Sequence, residues 1–368
     1  MMKSTPLKLL KIESLLKDAV AQRIGSGIAA GYGTLSDFSR LSPGSEIYVG
    51  RTSHLATAGS VTAETFFDLA SLTKILATTT LAMKRFDHGQ LNLDAPISNS
   101  PAFQKIKMKH LLTHASGLPA WKPFYDEMRA HFGDALYRVP LAERNQKFRE
   151  IFESVPPEKD PGQKIVYSDL GFLWLEKLLS NYFQHEVKQL WTAMGIRGLH
   201  FREVLRSSQA ERWNTEQTKE SIAATENCPW RGLLVGQVQD DNAWSKGVIA
   251  GHTGAFGRLK DLLAWIEAVF LGKVITRSTV KQFTQEAIEI SGTRRALGFD
   301  MPSLDGSGST GFWFSKETVG HLGFTGTSLW VDLVSGHYAV LLTNRVHPSR
   351  LDTRIRGLRR EFHRLVRE

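Results

Sequence analysis

Apolar positions recur along this chain in two rhythms, and the rhythm changes four times. In PLKLLKIESLLKDAV (6–20) they return at three- and four-residue steps, which predicts an amphipathic helix with Leu9, Leu10, Ile12, Leu15, Leu16 and Val20 turned inward. GIAAGYGTL (Gly27–Leu35) and SEIYVGRTS (Ser45–Ser53) then read as two strands around a polar, glycine-containing turn region. From about Ala63 to Asp261 the spacing is mostly helical. It is broken by loops after HLLTHASGLPAW (His110–Trp121), at Pro156–Lys164 and around Asp240–Lys246. Strand patterns return near Gly311 (GFWFS), in Val319–Leu333 (VGHLGFTGTSLWVDL) and, past a Ser335-Gly336 turn, in HYAVLLTNR (His337–Arg345). The last two predict a hairpin with one apolar face, and an arginine-rich helix closes the chain.

Strand patterns thus lie at both ends, with the helical block between them, and such ends commonly share one sheet. The expected organisation is a single domain over 1–368. Residues 1–62 and 255–368 would form a sheet lobe and 63–254 a helical lobe, with a cleft between.

Composition narrows the class. The chain has 368 residues, 42% hydrophobic and 23% charged, as in a globular protein. The net charge of +9 draws on the terminus RLDTRIRGLRREFHRLVRE (Arg350–Glu368), where acids are interspersed. That reads as the solvated face of a helix rather than a nucleic-acid patch. Cys228 is the only cysteine, which rules out an intrachain disulfide and a cysteine-rich metal site. The N-terminus lacks an uninterrupted apolar h-region, and no apolar run approaches the roughly 18 residues of a membrane span. The expected compartment is the cytoplasm.

Candidate chemistry begins in FFDLASLTKILATTT (Phe66–Thr80), where Ser71 and Lys74 stand one turn apart at the start of an apolar helix. That spacing brings hydroxyl and amine onto one face, and the helix N-terminus favours an oxyanion. Tyr167-Ser168-Asp169 follows an Asp160-Pro161-Gly162 turn and precedes another apolar helix, so its side chains can enter a cleft. The third piece is Gly320-His321-Leu322-Gly323-Phe324, which leads into an alternating strand with glycines that let a substrate approach the backbone. His252-Thr253-Gly254 has a similar sequence but leads into a helix, and is read as a decoy.

Ser-x-x-Lys, Tyr-Ser-Asp and His-x-Gly in that order resemble the serine beta-lactamase-related family, which includes class C beta-lactamases, D-alanyl-D-alanine peptidases and family VIII esterases. HLLTHASGLP, DPGQKIVYSDLGFLWLE, GHTGAFGRLKDLLAW and GHLGFTGTSLWVDL extend the likeness from about Phe67 to Arg345. The resemblance implies an α/β (α+β), transpeptidase-like fold, with an antiparallel sheet flanked by terminal helices, a large helical lobe and the active site between. It implies Ser71 as acyl-accepting nucleophile, Lys74 and Tyr167 sharing its proton, and an oxyanion hole from the backbone N–H groups of Ser71 and Phe324. Asp169, His321 and Gly323 would support the substrate, without metal or cofactor.

Two departures from the family bear on substrate. Leu322 stands where relatives that bind carboxylates carry a hydroxyl donor, and Asp169 where they carry asparagine. Both weaken the case for an anionic substrate. The expectation is therefore a carboxylic-ester hydrolase acting on a small-molecule ester or amide, with no nucleic-acid partner. A D-alanyl-D-alanine carboxypeptidase, penicillin-binding protein or weak beta-lactamase is the alternative, and a silent binding module on the same fold a second.

Other candidates read as structural. His110 and His114 have metal-ligand spacing without an accompanying glutamate. Gly31-Tyr32-Gly33 lacks a third glycine. Cys228 has no neighbouring base, and Asp94 suits a turn. Phe66, Phe67, Trp121, Phe124, Tyr125, Trp230 and Trp244 are either core residues or cleft-lining aromatics.

Overall fold

The structure, a computed structural model, describes residues 6–36, 40–41, 44–201, 221–247 and 250–368. Its main sheet contains β1 (Gly27–Ser36), β2 (Ser45–Gly50), β3 (Thr318–Leu322), β4 (Ser328–Asp332) and β5 (His337–Thr343), in the order β3-β4-β5-β1-β2. Every pairing is antiparallel, and Ile28 opposite Thr343 sets the register that joins the two ends of the chain. A two-residue strand, Arg40–Leu41, pairs with the end of β1.

The β4–β5 hairpin was expected to bury one face, but both are covered. Val340 and Leu342 enter the larger core, whereas Ala339 and Leu341 pack with α1 (Pro6–Ala21) and the closing helix. Layers on both sides explain why β5 reads as a continuous apolar run rather than an alternation. Leu10 also departs from expectation. It is 61% exposed, because Ile12, Leu16 and Ala19 define the buried stripe and Leu10 lies on the opposite side.

GFWFS is not a strand. Gly306 and Gly311 take φ of 68° and 54°, and the segment turns so that Phe314 meets His363 edge-on while Trp313 O accepts from Arg367 Nε.

The helical part is organised around the run that follows Ser71. Lys74–Thr79 is wound as a π-helix before α2 (Thr80–Asp87). Such bulges disturb the regular ladder, and side chains here take up main-chain groups. Thr80 Oγ1 donates to Ile75 O (2.6 Å), Trp191 Nε1 to Leu76 O (2.8 Å) and Thr78 Oγ1 to Gly251 O (2.5 Å). Further elements that shape the site are α3 (Asp169–Leu179), α4 (Asp241–Lys246), α5 (Leu259–Phe270), which packs on β1 and β5, and α6 (Ile355–Arg367). No helix among the described residues is long and apolar enough to cross a membrane.

Candidate active site

Ser71 is delivered by a tight reversal. Phe67–Asp68 is a short strand, and Ala70 then takes φ of 46°, a left-handed conformation that costs a non-glycine residue energy and clusters at functional sites. Its N–H is held by Asp68 Oδ1 at 2.9 Å. Three narrow turns follow, the last from Lys74 N to Ser71 O at 3.0 Å, and they bring Lys74 beneath the serine. The Lys74 ammonium is fully buried and donates to Ser71 Oγ (3.2 Å), Asp169 Oδ1 (2.7 Å) and His252 O (3.0 Å). Burial is the strongest influence on it and pulls its pKa down. The Asp169 carboxylate and Tyr167 together outweigh burial, so the amine stays above the ordinary lysine value.

The second wall is built on His114. This residue is 3% exposed with φ of 56°; its carbonyl accepts from Val166 N at 2.8 Å and its Nδ1 from Ser168 N at 3.0 Å. Its ring lies 4.7 Å from the Tyr167 ring. Burial holds His114 well below the ordinary histidine value, which suits a ring that accepts a hydrogen bond. Ser168 caps α3 through Gly171 N (3.2 Å), and Asp169 N donates to Ala120 O (2.9 Å). Tyr167 stands with Lys74 Nζ 4.8 Å from its ring centre. Burial pushes its hydroxyl up to about 12, against the lowering pull of Lys74 and a hydrogen bond with Ser71. Its protonated form therefore dominates near neutrality.

The third wall is the β3–β4 turn. His321 is 1% exposed, and its Nδ1 lies 2.7 Å from Leu322 O. A carbonyl only accepts, so the neutral ring donates from Nδ1 and Nε2 keeps its lone pair. Burial lowers the His321 pKa despite the opposing Asp300, leaving the ring uncharged at neutral pH. Its ring centre is 5.8 Å from that of Tyr167. Leu322 points the other way, into the cluster beneath α1 and α6.

Gly323 was expected to make room for a substrate, but the molecule itself fills that space. A Cβ there would sit 2.0 Å from Thr327 Oγ1 and 2.9 Å from Leu69 O. The turn is further tied to the serine loop by Thr325 Oγ1 to Asp68 O (2.7 Å) and Thr327 Oγ1 to Leu69 O (3.2 Å). These links fix the turn that carries Phe324 against the loop that leads to Ser71. Gly323→Ala is expected to lower kcat by about 100-fold with a smaller change in KM, since the turn it would displace is the expected source of an oxyanion donor and a misplacement of about 1 Å can cost that much. Steady-state ester kinetics would check this, and wild-type kcat in a folded variant would exclude the turn from the reacting site.

Two arginines brace that turn. Arg359 of α6 is 7% exposed and donates to Gly323 O (2.5 Å), Thr327 O (2.7 Å) and Gly326 O (3.2 Å). Burial lowers its guanidinium to about 9. Arg345 Nε donates to Phe324 O (2.7 Å), while its Nη1 serves Arg350 O and Asp352 O. The arginine-rich terminus is thus only partly a solvated face, since Arg359 belongs to the buried framework.

His252 needs a different reading from decoy. Its imidazole does not face the cleft from a strand edge, yet its carbonyl is one of the three acceptors around Lys74. Its Nε2 lies 3.4 Å from Asp240 Oδ1 at the cap of α4. His110 completes a capping box on Lys107 through its Nδ1 (3.1 Å), and Cys228 is buried. Asp94 pairs with Lys107 and Lys109 at a turn. Among the aromatics, Phe67 and Phe124 are core, and Phe66 packs on Ile222 and Phe256. Trp121, Tyr125 and Trp230 instead form a partly exposed row, with Tyr125 and Trp230 stacked at 6.1 Å and Trp244 edge-on to Trp230 at 5.0 Å.

Known proteins share this arrangement of chain. A family model described as Beta-lactamase matches residues 43–363. A Salmonella typhi protein whose name proposes a D-alanyl-D-alanine carboxypeptidase is 26% identical over 319 residues, covering 78% of this chain and 71% of its own. Unliganded simvastatin synthase from Aspergillus terreus superimposes with a TM-score of 0.68 at 18% identity, covering 99% of this chain and 98% of that one. A penicillin-binding protein from Bacillus halodurans gives 0.66 at 16% identity, with 94% and 95% covered. At such identities the two structures show a shared fold.

Proposed function

Because the chain belongs to the beta-lactamase family, we propose that it is a serine hydrolase that forms an acyl-enzyme on Ser71 and acts on neutral carboxylic esters. Ser71 Oγ attacks the carbonyl carbon while the Ser71 and Phe324 N–H groups receive the oxyanion. Tyr167, kept protonated by burial, takes the serine proton as it passes its own to the departing alkoxide, so no free base is consumed. The Lys74 ammonium stabilises the charge that develops on both oxygens. Water then enters in place of the alcohol and the same relay releases the acid.

The observation that carries the ester reading is the Asp169 carboxylate, 18% exposed at 2.7 Å from Lys74. It cancels the charge that would otherwise attract an anionic substrate. Three further features support it: neutral His321, Leu322 turned to the far side of the sheet, and Arg345 committed to main-chain carbonyls. The row from Trp121, which follows the Ala120 carbonyl bound by Asp169 N, offers an apolar surface to the acyl or alcohol group. A D-alanyl-D-alanine carboxypeptidase is the second reading, favoured by the named Salmonella relative.

A substrate panel separates the two. Turnover of p-nitrophenyl butyrate is expected to exceed that of a D-alanyl-D-alanine peptide by about 10- to 100-fold in kcat/KM, the scale of a partly screened like-charge contact. A fluorescent penicillin should leave no long-lived adduct. The reverse ranking, with a stable penicilloyl group on Ser71, would replace the esterase by the peptidase.

A further inference from the structure

Asp68 is 3% exposed and lies three residues before the serine. Its contacts reach the serine loop, the segment that precedes the α4 cap, and the β3–β4 turn. Oδ1 accepts from Ala70 N at 2.9 Å, holding the left-handed residue that aims Ser71. Oδ2 accepts from Gln239 N at 2.8 Å, one residue before the Asp240 cap that faces His252, whose carbonyl binds Lys74. Its own carbonyl accepts from Thr325 Oγ1 at 2.7 Å, in the turn that carries the Phe324 peptide.

We propose that Asp68 is a positioning residue, whose ionised carboxylate holds the serine loop, the lysine cage and the oxyanion turn in one register. The inference rests on Ser71 being the nucleophile. A carboxylate receives both N–H groups at once. In a protonated carboxyl the oxygen that carries the proton is a poorer acceptor, so one of the two bonds is weakened. Burial pushes the carboxyl up to about 6, helped by Asp240 and opposed by Arg231 and by the two N–H donors. The charged groups that act on it are therefore Asp240 from the cap of α4 and Arg231 from the turn between the short strands Ala224–Cys228 and Gly232–Val235. Asp240 itself is held below the ordinary carboxylate range and His114 well below the ordinary histidine value, so both titrate on the acid side of this step; burial also lowers His321, and Asp68→Asn separates the two because it leaves that ring in place.

The experiment measures fluorophosphonate labelling of Ser71 and ester turnover from pH 5 to 8 in the wild type and Asp68→Asn. The wild type is expected to lose labelling rate and kcat as pH falls through about 6, with KM steady. Asp68→Asn should lower kcat at pH 7.5 by about 10- to 100-fold, the cost of a small misplacement. It should leave KM within about twofold and abolish the acid limb. A folded variant that keeps the limb, or keeps wild-type kcat, overturns the role. If the variant does not fold, the wild-type profile decides, because a flat labelling rate from pH 5 to 8 is incompatible with the proposal. No adduct on Ser71 in the wild type would overturn the nucleophile assignment and this role with it, and peptide mapping of the adduct distinguishes that failure from the others.

Discussion

Ser71→Ala is expected to lower ester kcat/KM by about 10⁴-fold or more while leaving the fold intact. Loss of a nucleophile from a concerted acyl-transfer site removes most of the rate enhancement, and the oxyanion donors alone retain little of it. The structural cost is small. Ser71 is only partly buried, and in its absence Lys74 keeps two of its three acceptors, Asp169 and the His252 carbonyl. The melting temperature should therefore stay within about 2 °C of wild type, a shift worth less than about 1.5 kcal/mol for a chain of this length. Fluorophosphonate labelling followed by peptide mapping should find the adduct on Ser71 in the wild type and none in the variant. Undiminished turnover in Ser71→Ala would mean that another residue carries the acyl group.

The parts of this molecule that announce themselves in sequence are those whose chemistry lies in side chains at fixed spacing. The approach of Lys74 to Ser71 follows from a three-residue step on a helical turn. Capping by Ser168 follows from a polar residue ahead of an apolar helix. The run AVLL in β5 marks a buried strand, although sequence could not say that both faces were covered. What stayed hidden depends on main-chain groups or on contacts between distant segments. The left-handed Ala70 and the His252 carbonyl carry no residue-type signature. Asp68 looks like any acid before a helix until Gln239 and Thr325 arrive from elsewhere in the chain. Arg359 was legible in principle. It lies four residues after Ile355 and three before Phe362, within the apolar stripe of α6. A cation on a buried stripe asks for buried acceptors, and the turn carbonyls at Gly323, Gly326 and Thr327 supply them.

This division explains why the site is braced so heavily from behind. The three walls come from segments around residues 68–74, 114–169 and 321–327, and each is fixed by buried polar contacts rather than apolar packing alone. Such contacts are directional, so they hold a main-chain N–H in place more narrowly than a hydrophobic contact can. The cost is a set of buried charges whose protonation then bears on activity, Lys74 above all.

Lys74→Met is expected to lower kcat by about 10³-fold, because it removes the cation beside both Ser71 Oγ and Tyr167. It should also cost stability, up to about 3 kcal/mol, since Asp169 is left without its partner and the His252 carbonyl without its donor. Asp169→Asn keeps an acceptor for the ammonium but removes the charge that holds it protonated. The sign then follows from the pair. In the wild type the Lys74 pKa is raised, so its contribution is complete at neutral pH and is lost only as pH climbs past its folded value, above the ordinary 10.5. In Asp169→Asn that loss should come at lower pH, moving the alkaline limb of kcat toward neutrality while activity at pH 7 stays near wild type. The double variant should recover stability relative to Lys74→Met, because the half-buried carboxylate at 169 is no longer left unpaired. A rise in neutral-pH activity in Asp169→Asn would reverse the assignment. It would mean that the uncharged amine does the work, with Lys74 taking the serine proton itself and Asp169 restraining the reaction by keeping that amine charged.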